Sequence, residues 1–273
     1  MKGCDVVYHT AALVSFARGL ADEQMRVNAE GTRTVVEACL ASGVGTLVHA
    51  SSVTTIGYPV QGEPAGEDTP LDRSAARVYK LSKLLAEDVV AGGVTRGLRA
   101  VIVNPSVIMG ERDTRFHAGQ LIRDIARGRI PFYVDGGMNI VYAGDVAGGM
   151  IAAAERGAPG ERYILAGENL THKEIFAVVA EVTGGRPPFA KLPLGILRGA
   201  GRAVEMASTL LGIVPPLTAD MAAVAGKFHW YSSKKARRDL GFTTIPLDET
   251  IRAAFSWYVD NGYLKSRART TYR

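Results

Sequence analysis

Three short apolar runs set the fold class of this chain: Asp5-Val-Val-Tyr-His9, Thr46-Leu-Val-His-Ala50 and Leu98-Arg-Ala-Val-Ile-Val103. Each has the length of a strand and is too short for a core helix. Between the first two, Val27, Val35, Val36 and Leu40 recur near helical spacing, which predicts a helix from about Gly19 to Ser42, stopped by Gly43-Val-Gly45. A loop rich in glycine, proline and acids runs from Gly57 to about Asp72, and a second helix is expected from Ala75 to about Ala91. Strands that alternate with helices cannot be joined by tight turns, so they form a parallel sheet with right-handed crossovers. The chain has 273 residues, 47% of them apolar. That suffices for one α/β core and a smaller lobe.

After Asn104 the rhythm loosens. Phe116 to Arg127 reads as helix, and Pro131–Val134 and Asn139–Tyr142 read as short strands. Asp145 is placed to cap a helix ending near Arg156, and Arg162–Leu165 is a further strand. Thr171-His-Lys-Glu174 is a capping box, with Leu170 and Ile175 placed as its hydrophobic staple. From Lys191 the reading is mostly helical, closing with Leu247–Asn261. The expected division is residues 1–110 as the sheet domain and 111–273 as a mainly helical lobe that returns some segments to the sheet.

The formal net charge is +5, but the arginines are scattered and no nucleic-acid motif accompanies them. Nucleic acid is therefore not an expected partner; anionic small molecules are. Cys4 and Cys39 sit in no metal or redox spacing and read as small apolar fillers, which fits a reducing cytoplasm. No metal site is expected. Asp5 and His9 interrupt the first apolar run, which argues against a signal peptide. The stretch from Leu192 to Val214 carries Arg198, Arg202 and Glu205 and is too charged to span a bilayer.

Tyr79-Lys-Leu-Ser-Lys83 places a phenol and an ammonium one helical turn apart. A nearby cation favours the phenolate, so this spacing predicts a lowered tyrosine pKa and proton exchange with a carbonyl or alcohol oxygen. The pattern is weak alone, and the chain contains it twice: Tyr231-Ser-Ser-Lys-Lys235 also matches. Position separates the two. Tyr79 opens the helix that follows the strand ending in Ser51-Ser52, so serine hydroxyl and phenol share the C-terminal edge of a parallel sheet, where ligands bind. Tyr231 has no such partner and reads as a tyrosine packed on the core. No Gly-x-Ser-x-Gly elbow occurs, which disfavours serine-hydrolase chemistry.

His9-Thr-Ala-Ala12, Asn28-Ala-Glu-Gly-Thr32, Ser51-Ser52 with Gly57, Tyr79-x-x-x-Lys83 and Asn104-Pro-Ser-Val107 occur in the order and approximate spacing of extended short-chain dehydrogenases. The chain resembles that family, which includes the NAD-dependent epimerases and dehydratases. It looks most similar to the dihydroflavonol-reductase-like group and the hopanoid-associated sugar epimerases, through Asn104-Pro-Ser106, Gly160-Glu-Arg-Tyr-Ile-Leu165, Gly167-Glu-Asn-Leu-Thr171 and Asp239-Leu-Gly-Phe242. The resemblance implies a Rossmann-type sheet with a smaller, mostly helical substrate lobe, and NAD or NADP as cofactor. It implies Tyr79 as acid/base, Lys83 lowering its pKa and holding the nicotinamide ribose, and Ser52 positioning the substrate oxygen. Thr10, Ala11 and Ala12 would pass beneath the cofactor, Asn28 would order its side of the site, and Pro105 and Val107 would flank the nicotinamide. His9 reads as a packed strand-end residue; Asn104 is equally a substrate contact or a backbone contact.

The resemblance has gaps. The family opens with a strand and a Gly-x-x-Gly-x-x-Gly turn that receives the dinucleotide pyrophosphate, and no such turn occurs here. By that comparison Met1 falls after the third strand, so the sheet is expected to be partial, lacking its N-terminal strands, with an apolar edge at Asp5–His9 and weak dinucleotide binding. Tyr142-Ala-Gly-Asp145 also departs from the more usual histidine and second acid. The leading expectation is an NAD(P)-dependent oxidoreductase acting at a hydroxyl or ketone carbon of a small molecule that is phenolic, isoprenoid or steroid-like, or a sugar nucleotide. A nucleotide-sugar epimerase or dehydratase is the alternative, and a truncated, non-catalytic binding protein is the alternative of another class. A homodimer is compatible with either enzyme.

Overall fold

A computed structural model describes residues 1–14, 18–59, 62–74, 76–211 and 224–265. The chain divides into two compact units: Met1–Ser106 with Gly144–Ala166 and Tyr231–Thr244, and Val107–Ala143 with Gly167–Trp230 and Ile245–Arg273.

The first unit holds a parallel sheet in the order β1 (Val6–His9), β2 (Thr46–Ala50), β3 (Ala100–Pro105), β7 (Arg162–Leu165). His9 pairs with His49, and His49 with Ile102. β3 is buried along its whole length and β2 nearly so, as parallel strands covered on both faces are. β1 is the apolar edge expected at Asp5–His9. It has β2 as its one partner among the described residues, and Val6 and Tyr8 stay 37% and 43% exposed. Cys4 is likewise exposed, while Cys39 is buried as expected.

The predicted helix over residues 19–42 is a continuous helical run of changing pitch. A 3-10 turn at Arg18–Leu20 leads into α1 (Ala21–Met25), a π turn at Arg26–Glu30 and α2 (Gly31–Ser42). Gly43 ends the run at φ 65°, a left-handed position that glycine adopts without strain. α3 spans Val78–Thr95. It starts later than its pattern suggests because Arg77 is extended, at φ −77° and ψ 166°; Ala75 lies outside the described residues. Val36 and Cys39 of α2, Leu47 of β2, Val90 of α3, and Ala100 and Ile102 of β3 form one apolar core, which fixes α3 against the sheet. α5 (Ala143–Arg156) encloses Asp145 in its first turn instead of starting from it as a cap. α8 (Lys234–Leu240) takes in both lysines of the second Tyr-x-x-x-Lys pattern.

The second unit is helical but carries a small sheet that the sequence reading partly missed. β6 (Gly137–Tyr142) lies between β4 (Val107–Met109) and β10 (Phe228–His229) and also pairs with β8 (Glu168–Thr171); β5 (Phe132–Tyr133) pairs separately with β9 (Ala190–Lys191). α4 (Gly119–Ala126), α6 (His172–Thr183) and α9 (Leu247–Asp260) enclose a core of Ile122, Ile125, Ile175, Ile251 and Tyr258. Thr171 and Glu174 form both bonds of the expected capping box. α7 covers Leu194–Leu211, and no helix among the described residues is long and apolar enough to cross a membrane. The tail beyond Lys265 lies outside the described residues.

Candidate active site

Ser52, Tyr79 and Lys83 meet at the C-terminal edge of the first unit's sheet. Ser51 continues β2 beyond Ala50, its amide donating to the Val103 carbonyl of β3 at 2.8 Å. At Ser52 the backbone is extended and then turns into a 3-10 turn, Val53–Thr55. Ser52 caps that turn, its Oγ accepting from the Thr54 amide at 3.2 Å. The Ser52 carbonyl accepts from the Thr55 amide at 3.1 Å and from Thr55 Oγ1 at 2.8 Å. The turn thus determines where the Ser52 hydroxyl points. That hydroxyl lies close enough to the Tyr79 phenol to favour its ionised form.

One turn along α3, the Lys83 side chain is 3% exposed and donates to the Ala50 carbonyl at 2.9 Å. An ammonium has three donors, so two remain for other acceptors. Burial lowers the Lys83 pKa to about 8, with Glu87 opposing the shift. Tyr79 departs from the sequence expectation. Its pKa is raised, because burial outweighs the effect of the Ser52 hydroxyl, which favours the phenolate. Lys83 faces the strand end, and the phenol is a protonated donor at neutral pH.

Asn28 fastens the segment after β1 to α3. Its Oδ1 accepts from the Leu13 amide at 2.7 Å, and its Nδ2 donates to the Leu13 carbonyl at 3.0 Å and to Ser82 Oγ at 2.9 Å. Asn28 lies in the π turn, a local widening frequent at functional sites. His9 is buried, and its Nε2 lies 3.0 Å from Thr32 Oγ1, consistent with a packed strand-end residue. Thr10 and Ala11 are exposed and Ala12 half-buried, a stretch of small side chains open on one side. Pro105 is buried at the end of β3. Val107 is 38% exposed and belongs to the second unit.

Asn104 is fully buried, and its amide nitrogen lies 2.8 Å from Glu87 Oε1, 3.0 Å from Thr55 Oγ1 and 3.2 Å from the Ser52 carbonyl. These partners are one backbone carbonyl and two side chains. Its Oδ1 has no partner among the described residues. The second Tyr-x-x-x-Lys pattern holds no site. Tyr231 packs in a core with Val53, Ile56, Ala65 and Ile164, and burial raises its pKa. Lys235 pairs with Glu161 at 2.5 Å and lies over the Tyr163 ring.

Sequence reasoning missed Glu87, Ser82 and Thr32. Glu87 was within reach, because the four-residue step from Tyr79 to Lys83 continues to it on the same helix face.

The model of the NAD dependent epimerase/dehydratase family matches residues 1–166. The chain belongs to this family. It is 30% identical to a Synechocystis protein named after dihydroflavonol 4-reductase, over 98% of this chain and 80% of the relative. It is 28% identical to the sterol demethylase protein B of Methylococcus capsulatus, over 97% of this chain and 81% of that protein. Among solved structures, gox2253 is 37% identical with a TM-score of 0.84, over 97% of this chain and 81% of that one. The family is NAD-dependent, and the residues of the first unit fit the reactive end of such a cofactor. Lys83 has ammonium hydrogens to spare for ribose hydroxyls, and Thr10–Ala12 present no bulky side chain.

Proposed function

We propose that the chain is an NAD(P)-dependent oxidoreductase that reduces a ketone, or oxidises the matching alcohol, on a ring-bearing substrate, with Tyr79 as acid/base. The observation that carries this reading is that the Lys83 ammonium reaches the end of β2, two residues before Ser52, from the helix that also bears Tyr79, whose phenol feels the Ser52 hydroxyl. The nicotinamide supplies or removes hydride. The chain's own part is the proton. Ser52 holds the substrate oxygen beside Tyr79, and Tyr79 gives that oxygen a proton as negative charge develops on it. Lys83 contributes positive charge and would bind the nicotinamide ribose. Asn28 holds the segment bearing Thr10, Ala11 and Ala12, which would receive the cofactor together with Pro105 and Val107. Asn104 positions the Ser52 turn.

A phenol whose pKa is raised and an ammonium titrating near 8 are both protonated at neutral pH, which suits Tyr79 to giving a proton there. The names of the relatives, one for a flavonoid ketone and one for a sterol, point to ring ketones carrying large apolar bodies. The epimerase reading uses the same three residues and consumes no nicotinamide in net turnover.

The test is NADPH or NADH consumption at 340 nm with a panel of cyclic ketones. Turnover that is lost in Ser52→Ala and Tyr79→Phe supports the reading. Isomerisation of a sugar nucleotide without net nicotinamide change would replace it with the epimerase, and turnover unaffected by both substitutions would overturn the site.

A further inference from the structure

Four residues beyond Lys83, the carboxylate of Glu87 is buried at 7% exposure and gathers hydrogen bonds from three strand ends. Its Oε1 accepts from Ser51 Oγ at 2.5 Å and from Asn104 Nδ2 at 2.8 Å, and lies 2.8 Å from Thr55 Oγ1, whose single hydrogen it shares with the Ser52 carbonyl. Its Oε2 faces Arg162 Nη1 of β7 at 3.3 Å. Arg162 is itself anchored, donating to the Glu67 carbonyl, while the Glu67 carboxylate accepts from the Ile164 amide. Hydrogen bonds to a carboxylate are stronger than neutral ones, and removing the carboxylate leaves several buried polar groups unsatisfied.

These bonds converge on the catalytic hydroxyl without touching it. Ser51 precedes Ser52, while Thr55 and Asn104 both lie within hydrogen-bond distance of the Ser52 carbonyl. Glu87 shares the face of α3 that carries Tyr79 and Lys83. We propose that Glu87 is the positioning residue of this site: one buried carboxylate ties the Ser52 turn and the ends of β2, β3 and β7 to the helix bearing Tyr79 and Lys83, and supplies the counter-charge for Lys83.

This role rests on the assignment of Ser52, Tyr79 and Lys83 above. A carboxylate that only braced the fold would leave the ionisation of Lys83 alone, and a counter-charge would not. The groups that bear on Lys83 are His9 from β1, His49 from β2 and Glu87 from its own helix. Burial keeps both histidines neutral, so Glu87 is the one acid among them. Glu87 in turn faces Arg162 from β7, and Arg73 ahead of α3 feels its charge.

The experiment follows the Lys83 titration by NMR of protein labelled with 13C at the lysine ε-carbon, the signal being assigned by its loss in Lys83→Met. No substrate or cofactor is needed. In Glu87→Gln the Lys83 midpoint falls by one pH unit or more, while Glu87→Asp, which keeps the charge, restores at least half of that shift. With NADPH and a ketone that the native protein reduces, Glu87→Gln lowers kcat by about a hundredfold, the cost of misplacing a reacting group by about 1 Å, and leaves KM within twofold. A folded Glu87→Gln protein with an unmoved Lys83 midpoint overturns the proposal. If Glu87→Gln does not fold, Thr55→Val removes a single donor from the same cluster. A tenfold or larger loss of kcat supports the proposal there, and native turnover refutes it. Should Tyr79→Phe abolish turnover while Glu87→Gln changes neither reading, the role of Glu87 fails and the oxidoreductase stands. Should Tyr79→Phe leave turnover intact, the oxidoreductase assignment itself fails.

Discussion

Replacing Lys83 by methionine isolates the cost of burying an ammonium at this site. Burial takes the Lys83 pKa from its ordinary 10.5 to about 8. A depressed pKa in the folded state means that the unfolded chain binds the proton more tightly. The associated stability is present above pH 10.5 and lost as pH falls through 8. At 1.36 kcal/mol per unit the whole effect is about 3 kcal/mol, of which about 2.5 kcal/mol develops between pH 7 and pH 10. The assay is urea unfolding of native and Lys83→Met proteins at pH 7, 8, 9 and 10. Other groups that titrate over this range are common to both proteins and cancel in the difference. The native protein should gain about 2–3 kcal/mol on the variant across the range. A difference that stays constant within about 0.5 kcal/mol would show that Lys83 titrates alike folded and unfolded, and would refute the reasoning.

Ketone reduction should be insensitive to pH below neutrality and decline above about pH 8 as Lys83 loses its proton, because Tyr79 remains protonated there; a flat kcat/KM profile up to pH 10 would contradict this. Gly57→Ala should cost about 1–3 kcal/mol in urea unfolding and lower turnover. A Cβ at Gly57 would lie 2.1 Å from the Pro70 carbonyl oxygen and push the loop behind Ser52. Tyr231→Phe should leave turnover unchanged in the same assay, since Tyr231 is a core residue.

What could be read from the sequence was what local pattern encodes. The capping box at Thr171–Glu174 and the strand Arg162–Leu165 lie where periodicity and side-chain chemistry put them. The convergence of Ser52 on Tyr79 follows from a strand end and a helix start on one sheet edge, which is a topological consequence of parallel pairing. What stayed hidden depends on contacts distant in sequence. The tyrosine pKa was expected to fall because Lys83 lies one turn away, yet burial dominates and Lys83 turns to the Ala50 carbonyl. The helix spacing places two groups on one face but does not say where each side chain points. Asn104 could not be assigned without seeing that Ser52, Thr55 and Glu87 surround its amide. Short strands such as Val107–Met109 and Glu168–Thr171 carry too few residues for a period-2 signal. Asp145 looked like a cap, but α5 begins before it.

The central claim is that Tyr79 transfers the proton. Its most direct test is kcat for NADPH-dependent ketone reduction by Tyr79→Phe, a substitution that removes one oxygen and keeps the ring packing. Loss of the proton donor predicts a fall of about a hundredfold to ten-thousandfold with the far-ultraviolet circular dichroism unchanged. Reduction at the native rate by a folded Tyr79→Phe protein would contradict the assignment.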